Sequence, residues 1–404
     1  MGWLFFRAML TLRAMRLHKN ITLLGVVSML TDLSSQMIYP FIPEFLLQLG
    51  TSVSNIGIIE GIAEATAETF KAWAGKLTDK YKKYKLLVFI GYGLSALAKP
   101  ILFFAQVWGH VLAVKFIERV GKAVRNPPRD VLLSASVAPS HHGIAFGLHR
   151  AYDRIGSFAG PLVAMGLLYF FPGNLRLVFL CAAVPGLLAL LFIKNVQVLP
   201  AQPKHKAKGG HRNSLQNQQY LKRFIIVGFL FMLGNASNAF LLLKASEVGI
   251  ALFWLPVLWA AYNGVCALAA PKLGALSDSK GRKPVILAAC LYQAIIYGCF
   301  AFASLQWHVW ALFLAYGIQY GLTKGVFKAF VADLAPVTRR GTAFGMYDMW
   351  MGLGLLLASV LMGTLWQQYT PKIAFLTAAA FGVVAAAVFF LLFFIKPQKP
   401  APSL

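Results

Sequence analysis

The run Gly274-Ala275-Leu276-Ser277-Asp278-Ser279-Lys280-Gly281-Arg282-Lys283 has a shorter counterpart 199 positions earlier, Gly75-Lys76-Leu77-Thr78-Asp79-Lys80. A second pair keeps nearly the same spacing: Gly143-Ile144-Ala145-Phe146-Gly147 returns 198 positions on as Gly341-Thr342-Ala343-Phe344-Gly345. Both offsets are close to half of the 404-residue chain. Two separate matches at one spacing indicate a duplicated unit.

The composition around these repeats is that of a membrane protein. Hydrophobic residues make up 58% of the chain and charged residues 13%, whereas a soluble domain is about half apolar and about a quarter charged. A water-soluble enzyme, a disordered chain and a secreted disulfide scaffold are excluded. A spanning helix needs about 20 mostly apolar residues, and the sequence predicts twelve: 21–48, 54–74, 86–106, 110–135, 144–170, 176–194, 223–245, 249–272, 284–304, 309–334, 341–366 and 373–395. The stretch 284–323 has no Lys, Arg, Asp or Glu and must double back near residues 304–308. The expected units are an N-terminal segment 1–20, a six-helix bundle 21–194, a polar linker 195–222, a second bundle 223–395 and a tail 396–404. Segment 1–20 is basic and lacks a small-residue cleavage site, so it is expected to be retained.

Basic residues fix the orientation. They crowd alternate connections, such as Lys80, Lys83 and Lys85, Lys204–Arg212, Lys280–Lys283 and Arg339–Arg340, and leave the other set nearly bare apart from Arg176, Lys244 and Lys372. By the positive-inside rule both termini are expected to be cytoplasmic, in a bacterial inner membrane. The formal net charge of +25 is explained in the same way, as basic loops facing an anionic leaflet. No nucleic-acid partner is therefore expected. Cys181, Cys266, Cys290 and Cys299 lack metal-site spacing and read as small buried hydrophobes. HExxH, GxSxG and P-loop motifs are missing, so neither an enzyme nor a cofactor or metal site is expected.

Gly75-x-Leu77-x-Asp79-Lys80 and Gly274-x-Leu276-x-Asp278-x-x-Gly281-Arg282-Lys283 resemble the loop signature of the major facilitator superfamily, between helices 2 and 3 and helices 8 and 9. The first copy departs from it at Lys82, where the family usually has glycine. Gly156-x-x-x-Gly160-Pro161 is similar to the family's antiporter motif, although Ala164 and Met165 replace further small residues. Residues 119–153 also resemble a bacterial permease branch, some of whose members handle iron or its carboxylate chelators. The resemblance implies an all-α membrane fold of two pseudo-symmetric six-helix bundles that rock about a central site, with helices 1, 4, 7 and 10 lining it. It also implies that Asp79 and Asp278 latch the halves in one state, a static loop brace being the alternative.

The chain has only 13 acids, and eleven of them fall within or at the ends of predicted helices. A carboxylate in hydrocarbon is costly unless it is paired, protonated or facing water, so these helices enclose a polar interior. Equal depth from a turn suggests the pairs Lys328–Asp348, Asp130–Arg150 and Glu60–Lys99, with Lys71 beside Glu68. Asp32 and Glu64 have no partner at matching depth and are the proton-coupling candidates, since an unpaired carboxylate can exchange a proton near neutral pH. Helix 4 carries Lys115, Arg119, Lys122, Arg125 and Arg129 at helical spacing, and helix 10 carries Tyr316, Tyr320, Lys324 and Lys328. Facing basic stripes favour an anionic substrate. The expected substrate contacts are Lys115, Arg119, Lys324, Tyr39, Asn235 and Tyr320. The expected gate comprises Arg125, Arg129, Asp153 and Arg154, with Arg282, Lys328 and Asp348, below a break at Pro127-Pro128. The sequence thus predicts a monomeric secondary transporter of a small organic anion, a carboxylate metabolite or siderophore, with protons and membrane lipid as its other partners. Alternatives are a proton-antiporting drug or metabolite exporter and a lipid flippase.

Overall fold

A computed structural model describes residues 19–81, 83–137, 142–197, 214–335 and 340–395. Segments 1–18, 198–213 and 396–404, Lys82 and the connections 138–141 and 336–339 lie outside the described residues. Twelve spans follow one another: α1 Lys19–Gln48, α2 Val53–Tyr81, α3 Tyr84–Phe104, α4 Trp108–Ala135, α5 His142–Phe170, α6 Leu175–Ile193, α7 in two pieces (Ser214–Leu233 and Ala239–Glu247), α8 Leu252–Lys280, α9 Arg282–Phe302, α10 Gln306–Leu334, α11 Arg340–Gln368 and α12 Pro371–Ile395.

Three local features differ from the sequence expectation. Helix α7 begins at Ser214, well ahead of residue 223. Nothing in the Gln-rich run before the apolar stretch breaks a helix, and its polarity marks only where hydrocarbon ends. Helix α7 is also interrupted over residues 234–238, Gly-Asn-Ala-Ser-Asn. Asn and Ser there compete with the helical backbone for hydrogen bonds, and a side chain on Gly234 would meet the Ala378 carbonyl oxygen of α12 at 2.5 Å. Conversely, α4 runs unbroken through Pro127-Pro128. Each proline removes a backbone bond, but the buried flanking residues Val124, Leu132 and Leu133 hold the helix in register.

The duplication in the sequence reappears in the packing. In the first half α1 packs on α5 and α6, α2 on α4, and α3 on α4 and α6; six helices later α7 packs on α11 and α12, α8 on α10, and α9 on α10 and α12. The halves meet where α2 lies on α11 and α5 on α8, two contacts that the same six-helix shift exchanges. Seven described spans, α1, α3, α6, α8, α9, α11 and α12, are long and apolar enough to cross a membrane. The other five, α2, α4, α5, α7 and α10, are interrupted by charges or by the α7 break, and they are tolerable because apolar neighbours enclose them. Helices α6, α9 and α12, joined by α3, turn apolar residues outward, among them Phe104, Val184, Ile295 and Val383. Cys266 and Cys290 are buried, Cys181 is half-buried and Cys299 is exposed. The expectation that all four are buried fails at Cys299, because on a lipid-facing surface a small apolar side chain gains little by turning inward.

Candidate functional site

The face where α1 begins and α12 ends carries the basic loops; the opposite face is the far face. Near the far face the bundles close on each other. On α2, a side chain at Gly57 would collide with the Ser359 carbonyl of α11, and one at Gly61 would lie 3.0 Å from the Leu356 carbonyl oxygen. The glycines permit backbone-to-backbone approach of the two halves. Just inside this crossing, Lys115 of α4 forms an ion pair with Glu60 of α2. The second Glu60 oxygen accepts from the Ser237 hydroxyl in the α7 break at 3.1 Å. A charge-assisted bridge therefore joins the first bundle to the second.

Aromatic side chains extend the seal. Tyr39 of α1 stacks on Trp259 of α8 at 4.8 Å, Trp259 on Tyr262 at 4.8 Å, and Tyr262 on Tyr316 of α10 at 5.4 Å. The Trp259 indole donates to Gln36 Oε1 at 2.6 Å. Tyr316 donates to Asn238 Oδ1 at 2.7 Å and Tyr297 to Asn235 Oδ1 at 3.0 Å. Asn235, an expected substrate ligand, has its carbonyl engaged in fixing the α7 break.

Accessibility rises from this seal toward the basic face. On α2, the Glu60 side chain is 1% exposed and Glu64 is 26% exposed; on α4, Lys115 is 6% and Arg119 16% exposed, and Lys122 is exposed. On α10, Tyr316 is buried, Tyr320 half-buried and Lys324 exposed. Three helices from both bundles share one gradient, which is the signature of a chamber closed at the far face and open toward the basic one.

The pairing inside the chamber corrects the depth argument. Glu64, expected to lack a partner, pairs with Arg119. Glu60 pairs with Lys115 and not with Lys99; Lys99 instead donates to Ser34 Oγ at 2.6 Å and Ser35 Oγ at 3.0 Å, and Ser35 donates to Glu118 at 2.7 Å. Asp130 takes Arg129 at 2.8 Å, and Arg150 is exposed. Depth fixes only the level of a side chain along the bundle, while its direction around the helix axis chooses the neighbour. Lys115 and Arg119, expected as free substrate contacts, are consequently neutralised. The Ser34-Ser35 doublet in an apolar helix was the available signal for the missed Lys99–Glu118 network.

Among the described residues, Lys122 on α4 and Lys324 on α10 have no ion pair. Lys122 lies near Asp32 and Glu64, and Lys324 is near enough to Glu64 to act on it electrostatically. Asp32 also has no ion pair among the described residues; the Ser157 hydroxyl of α5 stands 3.4 Å away, and Asp153 is a close neighbour. His149 Nδ1 is 3.6 Å from Asp153. Arg125 turns out of the basic stripe, donates to Ser95 at 2.5 Å and lies over the Tyr92 ring. Arg154, expected in the inner gate of its own bundle, reaches across to α10: it donates to the Tyr320 hydroxyl and sits 4.7 Å from that ring's centroid.

At the basic face of the second bundle, Arg282 holds Asp278 at 2.6 Å and Asp333 at 3.1 Å and donates to Ser277 at 2.7 Å. Gly281 makes the reversal between α8 and α9 with φ 90°, a value that L side chains rarely adopt. Asp278 is thus braced within its own half in this structure. Lys328 pairs with Asp348 at 3.1 Å, the pairing predicted from equal depth. The side chains of Asp79, Glu68 and Lys71 lie outside the described residues.

The sequence profile of the Major Facilitator Superfamily matches residues 24–349 and 317–404. The chain belongs to this superfamily. An uncharacterized MFS-type transporter of Methanocaldococcus jannaschii is 32% identical over 376 residues, covering 91% of this chain and 94% of the relative. The multidrug resistance protein MdtG of Enterobacter lignolyticus is 22% identical over 383 residues, 89% of each chain. A solved bacterial homologue of the human lysosomal transporter Spinster superposes with a TM-score of 0.75 at 15% identity, over 95% of this chain and 98% of that one. The fold is therefore the twelve-helix major facilitator fold, and the protein is an integral membrane transporter of the secondary class. Its family and fold are those of transporters and not of enzymes.

Proposed function

We propose that the protein carries a small organic anion across the inner membrane by proton-coupled alternating access, with both termini cytoplasmic and the chamber open inward in this structure. One observation carries the reading: the deeper cations Lys115 and Arg119 are matched by Glu60 and Glu64, whereas Lys122 of the first bundle and Lys324 of the second, both near enough to Glu64 to act on it, are accessible and without an ion pair among the described residues. An anion about 4 Å from an ammonium gains ~1 kcal/mol in water and ~4 kcal/mol at an effective dielectric of 20. Unpaired lysines on two rocking bundles therefore reward a carboxylate that bridges them. Arg154 on the Tyr320 ring supplies a planar cation beside an aromatic face, suited to the body of such a substrate. Asp32 remains the proton-coupling candidate; Glu64 is withdrawn because Arg119 holds it as a carboxylate partner.

The test is a panel of organic carboxylates scored by thermal stabilisation, followed by proteoliposome transport of the strongest stabiliser. Lys122→Gln and Lys324→Gln are each expected to raise KM about tenfold, and Asp32→Asn to abolish the dependence on the proton gradient. Unchanged KM in both lysine variants would end the anion reading. A second reading, proton-driven export, is favoured by the similarity to MdtG, a multidrug resistance protein by name. Transport direction under an imposed proton gradient separates the two.

A further inference from the structure

Outside the chamber, the basic face of the second bundle contains an open-sided groove of about 500 Å³ between α8, α9 and α10, within the size range of small-molecule sites. Leu276, Val285, Ala288 and Leu322 line it, with Pro284 at one side and Lys280 at its mouth. Leu276 and Lys280 are one turn apart on α8, as are Pro284 and Ala288 on α9, so the groove runs along the helices from the α8–α9 reversal into the apolar zone. Val285 and Leu322 are buried, whereas the small side chains of Pro284 and Ala288 are exposed. Lys280 is exposed and has no ion pair among the described residues. Its neighbours are committed elsewhere: Arg282 to Asp278 and Asp333, and Lys283 to the Phe393 carbonyl at 3.4 Å.

We infer that this groove is a binding site for an anionic glycerophospholipid of the leaflet at the basic face, with one acyl chain along Leu276, Val285, Ala288 and Leu322 and the headgroup phosphate against Lys280. The occupant follows from charge complementarity at one end and apolar lining at the other. A free anion has no use for the groove, and a neutral lipid leaves Lys280 unmatched. Basic pockets between membrane helices on this side select anionic headgroups for the same reason. The site lies one turn from the Arg282–Asp278–Asp333 brace. The inference stands independently of the proposed substrate.

The test uses the full chain purified in detergent and native mass spectrometry with added dioleoyl phosphatidylglycerol or dioleoyl phosphatidylcholine. The expected result is preferential retention of phosphatidylglycerol, lowered about five-fold by Lys280→Gln, the factor for one basic residue beside an anionic surface. Lys222→Gln, a lysine exposed on α7 away from the groove, is expected to keep the preference. Ala288→Phe, which fills the groove and leaves Lys280 in place, is expected to lower retention of both lipids. Equal retention of the two lipids by the wild type overturns the site, as does an equal loss in Lys280→Gln and Lys222→Gln. Full retention in Ala288→Phe overturns the acyl-chain placement.

Discussion

Glu60 is one of the joints between the bundles, and its removal gives the sharpest test of the far-face seal. Its carboxylate is 1% exposed, takes the Lys115 ammonium (6% exposed) with one oxygen and the Ser237 hydroxyl with the other. Glu60→Gln keeps an acceptor for Ser237 but leaves Lys115 as an uncompensated charge in a dry site. Breaking such a pair from one side costs about 3–5 kcal/mol, on the order of 10 °C in melting temperature for a unit the size of one bundle. Lys115→Gln strands Glu60 instead, with the Ser237 hydrogen bond softening the loss. The double variant Glu60→Gln/Lys115→Gln removes both charges and leaves two amides able to bond each other, so it should recover at least half of the loss. Thermal unfolding of purified protein, followed by tryptophan fluorescence, yields the coupling from the four melting curves. An expected coupling of about 2 kcal/mol or more follows from the burial of both groups. Additive losses in the double variant, or single variants that melt with the wild type, would show that the bridge does not hold the seal.

Three further outcomes follow from the same geometry. Lys328→Ala should cost no more than ~1 kcal/mol, because its partner Asp348 is met at a site where the lysine is 48% exposed; a melting shift as large as that of Glu60→Gln contradicts the accessibility gradient. Gly57→Leu should force α2 from the Ser359 backbone and speed maleimide labelling of a Ser54→Cys reporter from the far side; unchanged labelling argues against the glycine-mediated closure. Arg154→Lys keeps the charge but loses the planar stack on Tyr320, worth about 0.5–2 kcal/mol. It should therefore weaken binding of an aromatic carboxylate several-fold while leaving that of a short aliphatic one unchanged, read by ligand-induced thermal stabilisation.

The twelve spans, the duplication and three of the outward-facing helices, α6, α9 and α12, were legible in residue order, because each is a property of a contiguous stretch; α3 was not. Hydrophobic length fixes a span, the spacing of Gly75 and Gly274 fixes the repeat, and a charge-free helix can face hydrocarbon without penalty. The Lys328–Asp348 pair was legible too, since a hairpin makes depth a good guide when the helices are neighbours and the side chains face each other. The contacts of Glu60, Glu64, Lys99 and Arg154 were not. Each joins helices far apart in sequence, and its partner depends on rotation about a helix axis and on which of several equally deep neighbours lies across the gap. Sequence alone therefore determined that a polar chamber had to exist, from carboxylates that hydrocarbon would reject. Only the tertiary structure decided which of its cations are matched and which, Lys122 and Lys324, have no ion pair among the described residues, because cancellation of charge is set by distances of a few ångströms between elements that the chain itself does not hold together.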